Sequence, residues 1–314
     1  MKIHLIEPLN VEQTIIDKYI PELRKYGYEF KQWKDRKEDA ESIIERCKDA
    51  EVVIVSNIPF TTEIIDACPN LKMLSVAFTG VDHIDMKTCR KRGIIVSNAA
   101  GYSTQSVAEL TIGLMISLLR KIPYNEHKLR TLHGRDGFTG SELFGKTIGI
   151  IGAGAIGQAV GKICKLAFGC EILYYSRTKK QVDEGRFVSK KELLEQSDIV
   201  SLHVPLNSET KGMVGEEELA LMKSTALLIN TARGPVLDTH ALVQALKKDS
   251  IGGAAIDMYE MEPPLPKDHE ILSAPNTILM PHIAYATKEA FVLRTKIVFE
   301  NILKWHAGEP QNVQ

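Results

Sequence analysis

KTIGIIGAGAIGQAVGKICKLAFGC, Lys146–Cys170, decides the fold. Its first residues, TIGII, read as a buried strand; glycines follow, then apolar residues at helical spacing. Gly152, Gly154 and Gly157 stand as GxGxxG directly after the strand and at the opening of the helix. Alone that pattern is weak, because glycine clusters occur in any α/β turn. In this context it reads as a dinucleotide fingerprint. Gly152 makes the tight turn, Gly154 lets backbone approach a pyrophosphate, and Gly157 brings helix close to strand. The first helical turn, with Ala155 and Ile156, then offers N–H groups and a positive dipole end to the phosphates.

About 20 residues beyond such a fingerprint, the second strand usually ends in a carboxylate that holds the ribose 2′-OH. Here the chain reads Tyr175-Ser176-Arg177-Thr178-Lys179-Lys180. No acid is present to repel a 2′-phosphate, and a guanidinium, two hydroxyls and two ammonium groups are present to bind one. The expectation is NADP(H) in preference, with NAD(H) also possible. A solvated turn whose basic residues do nothing is the bland alternative.

Outward from this unit the pattern continues. Before it, β-rich runs (KIHLI, EVVIVSN, LKMLSVAF, GIIVSN) alternate with helical patterns (VEQTIIDKYIPELRKYG, DAESIIERCKDA, TTEIIDACP, DMKTCRKRG). Strands alternating with helices predict an α/β fold with parallel sheets covered on both faces. Ser103 or Thr104 is placed to cap a long buried helix, and a polar stretch from about Pro123 to Gly145 breaks the rhythm. After the fingerprint come EILYY, DIVSLHV, TALLIN, IGGAAIDM and TILM, with one last helix in TKEAFVLRTKIVFENILKWHAG.

The 314 residues suggest about two domains. A formal net charge of −1 gives no general attraction to nucleic acid or anionic membrane, and Arg90-Lys91-Arg92 reads as a solvated helix end. Five cysteines without a CxxC pair fit a reduced, cytoplasmic protein. No signal-like or membrane-spanning run stands out, and no HExxH or paired Cys/His spacing suggests a metal.

Four further segments carry polar residues in apolar settings. INTARGPVLD brings Arg233 to a strand end; AAIDMYEMEPP brings Asp257, Glu260 and Glu262; MPHIAYA brings His282. Strand C-terminal ends are where open α/β sheets bind ligands. Hydride exchange between a hydroxyl and a carbonyl needs a proton donor and acceptor near neutrality, which histidine supplies. It needs a cation for an acid substrate, which arginine supplies bidentately. A carboxylate on the far ring nitrogen would orient the histidine and favour its protonated form. Each residue singly is as easily structural; their joint appearance behind the fingerprint argues for a site.

Together GIIGAGAIG, NTARGPVLD, DMYEMEPP and MPHIAYAT resemble the D-isomer-specific 2-hydroxyacid dehydrogenase family, and the likeness runs over essentially the whole chain. The resemblance implies two Rossmann-like or flavodoxin-like parallel-sheet domains with a cleft between them. Residues 1–99 plus 287–314 would be the substrate domain and 100–286 the NAD(P) domain. It implies that Arg233 binds the substrate carboxylate and carbonyl, that His282 is the acid/base, and that Glu262, directly before Pro-Pro, pairs with it. Glu260 is then a decoy, and Asp257 tunes the pair near the nicotinamide. His203 and Pro205 of SLHVPLN, Thr231, Ala232 and Ala284 would line the cofactor. Ala77, Phe78 and Thr79 would meet the substrate, partly through backbone N–H groups. The helix 104–120 and the arm 123–145 would form a homodimer contact.

Phe78 departs from the family pattern, which often has a small residue there; its ring either narrows the pocket or packs inward. The absence of lysine in that loop and the acidic Glu262 speak against phosphite and formate oxidation. Glyoxylate, hydroxypyruvate, pyruvate and branched 2-oxo acids stay open. His83, His127 and His133 read as surface or structural. The resemblance also admits a non-enzyme, since C-terminal-binding protein relatives use the fold as nucleotide-sensing corepressors. The absence of an extended tail or low-complexity platform favours the enzyme.

Overall fold

The computed structural model describes residues 1–178 and 181–314, so Lys179 and Lys180 of the basic run lie outside the described residues. The chain divides into two compact units, Met1–Ser103 with Ala286–Gln314, and Thr104–Tyr285. Each is built around a parallel sheet.

In the first unit the strands are β1 (Lys2–Leu5), β2 (Glu29–Gln32), β3 (Val52–Val55), β4 (Met73–Val76) and β5 (Ile95–Asn98), in the order β2-β1-β3-β4-β5. All four pairings are parallel. The central strands VVIV and MLSV are buried at every position, as a sheet covered on both faces requires. The closing helix Lys288–His306 is part of this unit: Ser75 Oγ donates to Val298 O (2.9 Å) and Asn301 Nδ2 to Asn98 O (2.9 Å).

Two local features depart from the sequence pattern. The segment expected as one helix, VEQTIIDKYIPELRKYG, forms two short ones, Gln13–Asp17 and Ile20–Lys25. Pro21 lacks an N–H and crowds the preceding turn, so it can only sit in the opening turn of a new helix. The edge strand β2, EFKQ, was not among the expected strands. It is short, with alternate residues exposed, so little apolar signal marks it.

The second unit holds β6 (Thr147–Ile151), β7 (Glu171–Tyr175), β8 (Arg186–Phe187), β9 (Ile199–Leu202), β10 (Leu227–Asn230), β11 (Gly253–Ile256) and β12 (Thr277–Leu279). Their order is β12-β11-β10-β9-β6-β7-β8. The chain leaves β6 for β7 on one side and later returns to place β9 on the other, so the strand order reverses at β6. Such a reversal opens a crevice at the strand C-termini, where the fingerprint lies. On one face, Ala108, Ile112 and Met115 of helix Thr104–Arg120 and Val160 and Cys164 of helix Ala155–Phe168 pack on Ile150 and Ile172. On the other, Leu193, Leu194, Leu242 and Leu246 pack on Ile151, Val200 and Leu228. Each buried Ile, Leu, Val or Met among them contributes about 1.5–3 kcal/mol.

The stretch after Arg120 is more ordered than its polarity suggests. A helix runs Ile122–Arg130, yet none of its residues is buried. With no face packed against the chain's own core, no apolar stripe announced it. Among the described residues, no helix is long and apolar enough to cross a membrane.

Candidate active site

The ends of β6, β7 and β9 build a cavity of about 460 Å³. Gly152 supplies its floor at φ +108°, a backbone conformation side chains rarely adopt. A Cβ there would stand 2.4 Å from the carbonyl oxygen of His203, so β6 and β9 approach too closely for any other residue. A Cβ on Gly157 would strike Gly152 O at 2.1 Å, which fixes the helix against the strand end. Gly154, by contrast, has no atom within 4 Å of its missing Cβ. It caps the helix Ala155–Phe168 beside open space, where a pyrophosphate has both room and N–H donors. These residues fit a dinucleotide.

The wall from β7 is Tyr175 to Thr178, and that from β9 includes His203, Val204 and Pro205. Thus Gly152, Gly154, Ser176, Arg177, Thr178, His203 and Pro205 share one cavity. His203 Nε2 lies 2.8 Å from Ser201 Oγ, and desolvation by the surrounding protein pushes its imidazole down to about 4. It is therefore a neutral wall at working pH. Asn207, Glu209, Thr210 and Met213 line the same cavity, and sequence reasoning did not single them out. Arg177 Nη1 meets Glu209 Oε2 at 2.5 Å.

Ala155, Ile156 and Gly157 belong to the helix opening behind the cavity rather than to its lining. Thr231 is buried, its hydroxyl 3.0 Å from that of Thr111, and Ala232 is buried beside it. Ala284 is buried, its N–H held by Asp257.

Arg233, Asp257 and His282 follow the ends of three neighbouring strands, β10, β11 and β12. Asn230 ends β10 and fixes the turn: its Oδ1 accepts from Ala232 N (3.0 Å), and its Nδ2 donates to Arg233 O (3.1 Å). Gly234 follows because its missing Cβ would lie 1.9 Å from the Tyr259 carbonyl. The Arg233 guanidinium donates through Nη1 to Ala232 O (2.7 Å).

His282 is 8 % exposed and sits at φ +55°. That left-handed conformation is uncommon outside glycine and is held by its neighbours. The fully buried carboxylate of Asp257 accepts from Ile283 N (2.8 Å) and Ala284 N (2.9 Å), the two N–H groups after the histidine. Burial raises the Asp257 pKa, opposed by those two N–H groups and by the nearby His282. Glu262 Oε1 and Oε2 lie 3.0 and 2.9 Å from His282 Nδ1. The Tyr285 ring meets the imidazole edge-on at 5.0 Å, a contact the sequence did not reveal.

Glu260 is elsewhere: it accepts from Thr239 Oγ1 (3.2 Å) and faces His269 Nε2 (3.0 Å). Tyr259 ties the strand ends through its hydroxyl, whose single proton is shared between Met280 O (2.9 Å) and Ile256 O (3.1 Å).

In the first unit, Ala77, Phe78 and Thr79 follow the end of β4. The Ala77 N–H is committed to Val55 O (2.7 Å), which extends the ladder. Of the loop's expected N–H donors, that one is already engaged. Phe78 is 8 % exposed, its ring 6.3 Å from that of Tyr102, and Thr79 O accepts from Asn98 Nδ2 (2.6 Å). Among the described residues, no cluster of three or more His, Cys, Asp or Glu is placed to hold a metal.

Residues 112–284 match the family model for the NAD-binding domain of D-isomer specific 2-hydroxyacid dehydrogenases. A glyoxylate reductase of Thermofilum pendens is 42% identical over 292 residues, 90% of this chain and 85% of that protein. Among solved structures, an acyclic imino acid reductase in complex with NADPH and D-Arg superposes with a TM-score of 0.91 at 34% identity, covering 100% of both chains. A glyoxylate reductase from Paecilomyes thermophila gives 0.89 at 30% identity, covering 100% of this chain and 98% of that one.

Proposed function

The chain belongs to the D-isomer-specific 2-hydroxyacid dehydrogenase family, and on that premise we propose that it reduces a small 2-oxo acid, glyoxylate or hydroxypyruvate foremost, with His282 as its acid/base. It is a nicotinamide-dependent oxidoreductase. The observation that carries the finer reading is the buried His282 whose Nδ1 is held by both oxygens of Glu262. That contact supports an Nδ1–H directed at the carboxylate, with Nε2 as the nitrogen that would exchange a proton with substrate.

When bound, the reduced nicotinamide supplies the hydride. His282 gives its Nε2 proton to the oxygen that becomes the hydroxyl, and Glu262 steadies the imidazolium until then. Arg233 grips the carboxylate and supports charge growing on the carbonyl oxygen, a task for which a planar fork of donors is suited. Asp257 keeps the His282 turn in its left-handed conformation through Ile283 and Ala284. The glyoxylate reductase relatives support the substrate class.

NADP(H) is the proposed preferred cofactor. Support comes from Ser176, Arg177 and Thr178 on the cavity wall and from the NADPH held by the imino acid reductase relative. The proposal includes a cytoplasmic homodimer. Ile122, Tyr124 and Leu129 of the helix Ile122–Arg130, and Leu132 just after it, stand exposed, apolar groups suited to cover by a second copy. Five buried free cysteines suit a reducing compartment.

The test is turnover of a panel of 2-oxo acids with NADPH and NADH, in wild type and His282→Ala. The variant should lose at least ~100-fold in kcat while cofactor affinity changes little. Near-normal turnover would remove His282 from its role.

A further inference from the structure

The cofactor cavity carries a pair whose chemistry the family reading leaves unused. Among its described lining residues, Arg177 and Glu209 are the two that carry charge, His203 being held neutral, and they face each other at 2.5 Å. Arg177 comes from the end of β7, whereas Glu209 lies 32 residues later, beyond the end of β9. Their side chains are 77 % and 61 % exposed. An exposed pair of this kind contributes about 0–1 kcal/mol to stability, so the fold does not depend on it.

Glu209 is nevertheless firmly placed. Asn207 Oδ1 accepts from both Glu209 N (2.9 Å) and Thr210 N (3.0 Å). Thr210 Oγ1 in turn donates to Pro205 O (2.6 Å) and accepts from Asn207 N (2.9 Å). The backbone that carries Glu209 is thus a hydrogen-bonded turn, and from it the exposed carboxylate reaches Arg177.

We propose that Glu209 is a specificity-determining residue that weakens NADP(H) selectively by competing with the 2′-phosphate for the Arg177 guanidinium. The inference rests on the proposed role of Arg177 as the 2′-phosphate ligand. A ribose 2′-OH is neutral and leaves the pair as it stands. A 2′-phosphate brings nearly two negative charges to the same rim. It must draw Arg177 away from Glu209 or share it, and in either case a second anion stays nearby. The cost therefore falls on the phosphorylated cofactor alone. The chain keeps access to both cofactors because the cation that favours one is partly neutralised by its neighbour.

Binding of adenosine 2′,5′-bisphosphate and of 5′-AMP to the full chain, measured by calorimetry, separates these effects without turnover. In Glu209→Gln the bisphosphate should bind about 3- to 5-fold tighter and 5′-AMP within about 2-fold of wild type, the size expected of one exposed charge. The gain should shrink when salt rises from ~0.05 to ~0.5 M, as screening requires. Unchanged or weaker bisphosphate binding in Glu209→Gln, or equal tightening of both ligands, would overturn the proposal. Arg177→Ala isolates the underlying reading. If it leaves bisphosphate affinity untouched, the 2′-phosphate assignment of Arg177 fails and this proposal with it. If it weakens the bisphosphate while Glu209→Gln does not tighten it, only the role of Glu209 fails.

Discussion

A histidine at φ +55° needs something to hold it, and here the holder is the Asp257 carboxylate on the next two N–H groups. The same histidine is steered from the other side by Glu262. Glu262→Gln keeps a hydrogen-bonding amide at Nδ1 but removes the charge proposed to steady an imidazolium there. A charge-assisted hydrogen bond exceeds a neutral one by roughly 1 kcal/mol, so kcat/KM for the 2-oxo acid should fall about 5- to 10-fold. Cofactor affinity should stay put; steady-state kinetics with fluorescence titration of NADPH checks both. Asp257→Asn offers one good acceptor where two N–H groups need partners, so a similar loss in kcat/KM is expected from a loosened turn. The polar residues that sit alone at the ends of apolar strands, Arg233, Asp257 and His282, were legible in the sequence. Tyr285 and Glu209 were not, because their significance lies in what they face, and only the folded chain sets a ring against the imidazole or a carboxylate against Arg177.

At the level of elements, the strand–turn–helix from Thr147 to Phe168 was readable because its glycines answer to backbone contacts. Gly152→Ala puts a methyl 2.4 Å from His203 O and forces alanine into φ +108°. Backbone cannot yield cheaply at that point, so at least ~1–3 kcal/mol of stability should be lost. Denaturant unfolding measures that loss, and NADPH titration should show affinity falling by more than about 10-fold as β6 and β9 are pried apart. An alanine variant as stable and as tight-binding as wild type would contradict the close approach. The elements that escaped notice share a physical cause. β2 and β8 are short edge strands, and the helix Ile122–Arg130 buries nothing, so none of them carries the apolar periodicity by which buried elements announce themselves.

Over the whole molecule, the cavity proposed for the cofactor is lined by residues of the unit Thr104–Tyr285. NADPH at 100 times its Kd should add about 2.7 kcal/mol to stability by mass action. Amide exchange should slow chiefly around β6, β7 and β9. Acid sensitivity has a traceable component. His203 titrates at about 4 when folded and near the ordinary 6.5 when unfolded. Between those values the unfolded chain binds the extra proton, so stability rises with pH across that window and is lost as pH falls through it. His203→Asn should flatten that part of the curve, read from thermal unfolding between pH 4 and 6.5. The division into two α/β sheets followed from the alternation of strands and helices, whereas strand order, and with it the identity of cavity neighbours, did not. The most direct test of the central claim is a crystal structure with NADPH and oxamate. The account predicts the oxamate carboxylate on the Arg233 guanidinium, its carbonyl oxygen on His282 Nε2, and the nicotinamide ring against both. Oxamate bound away from Arg233 and His282, with the nicotinamide in place, would contradict it.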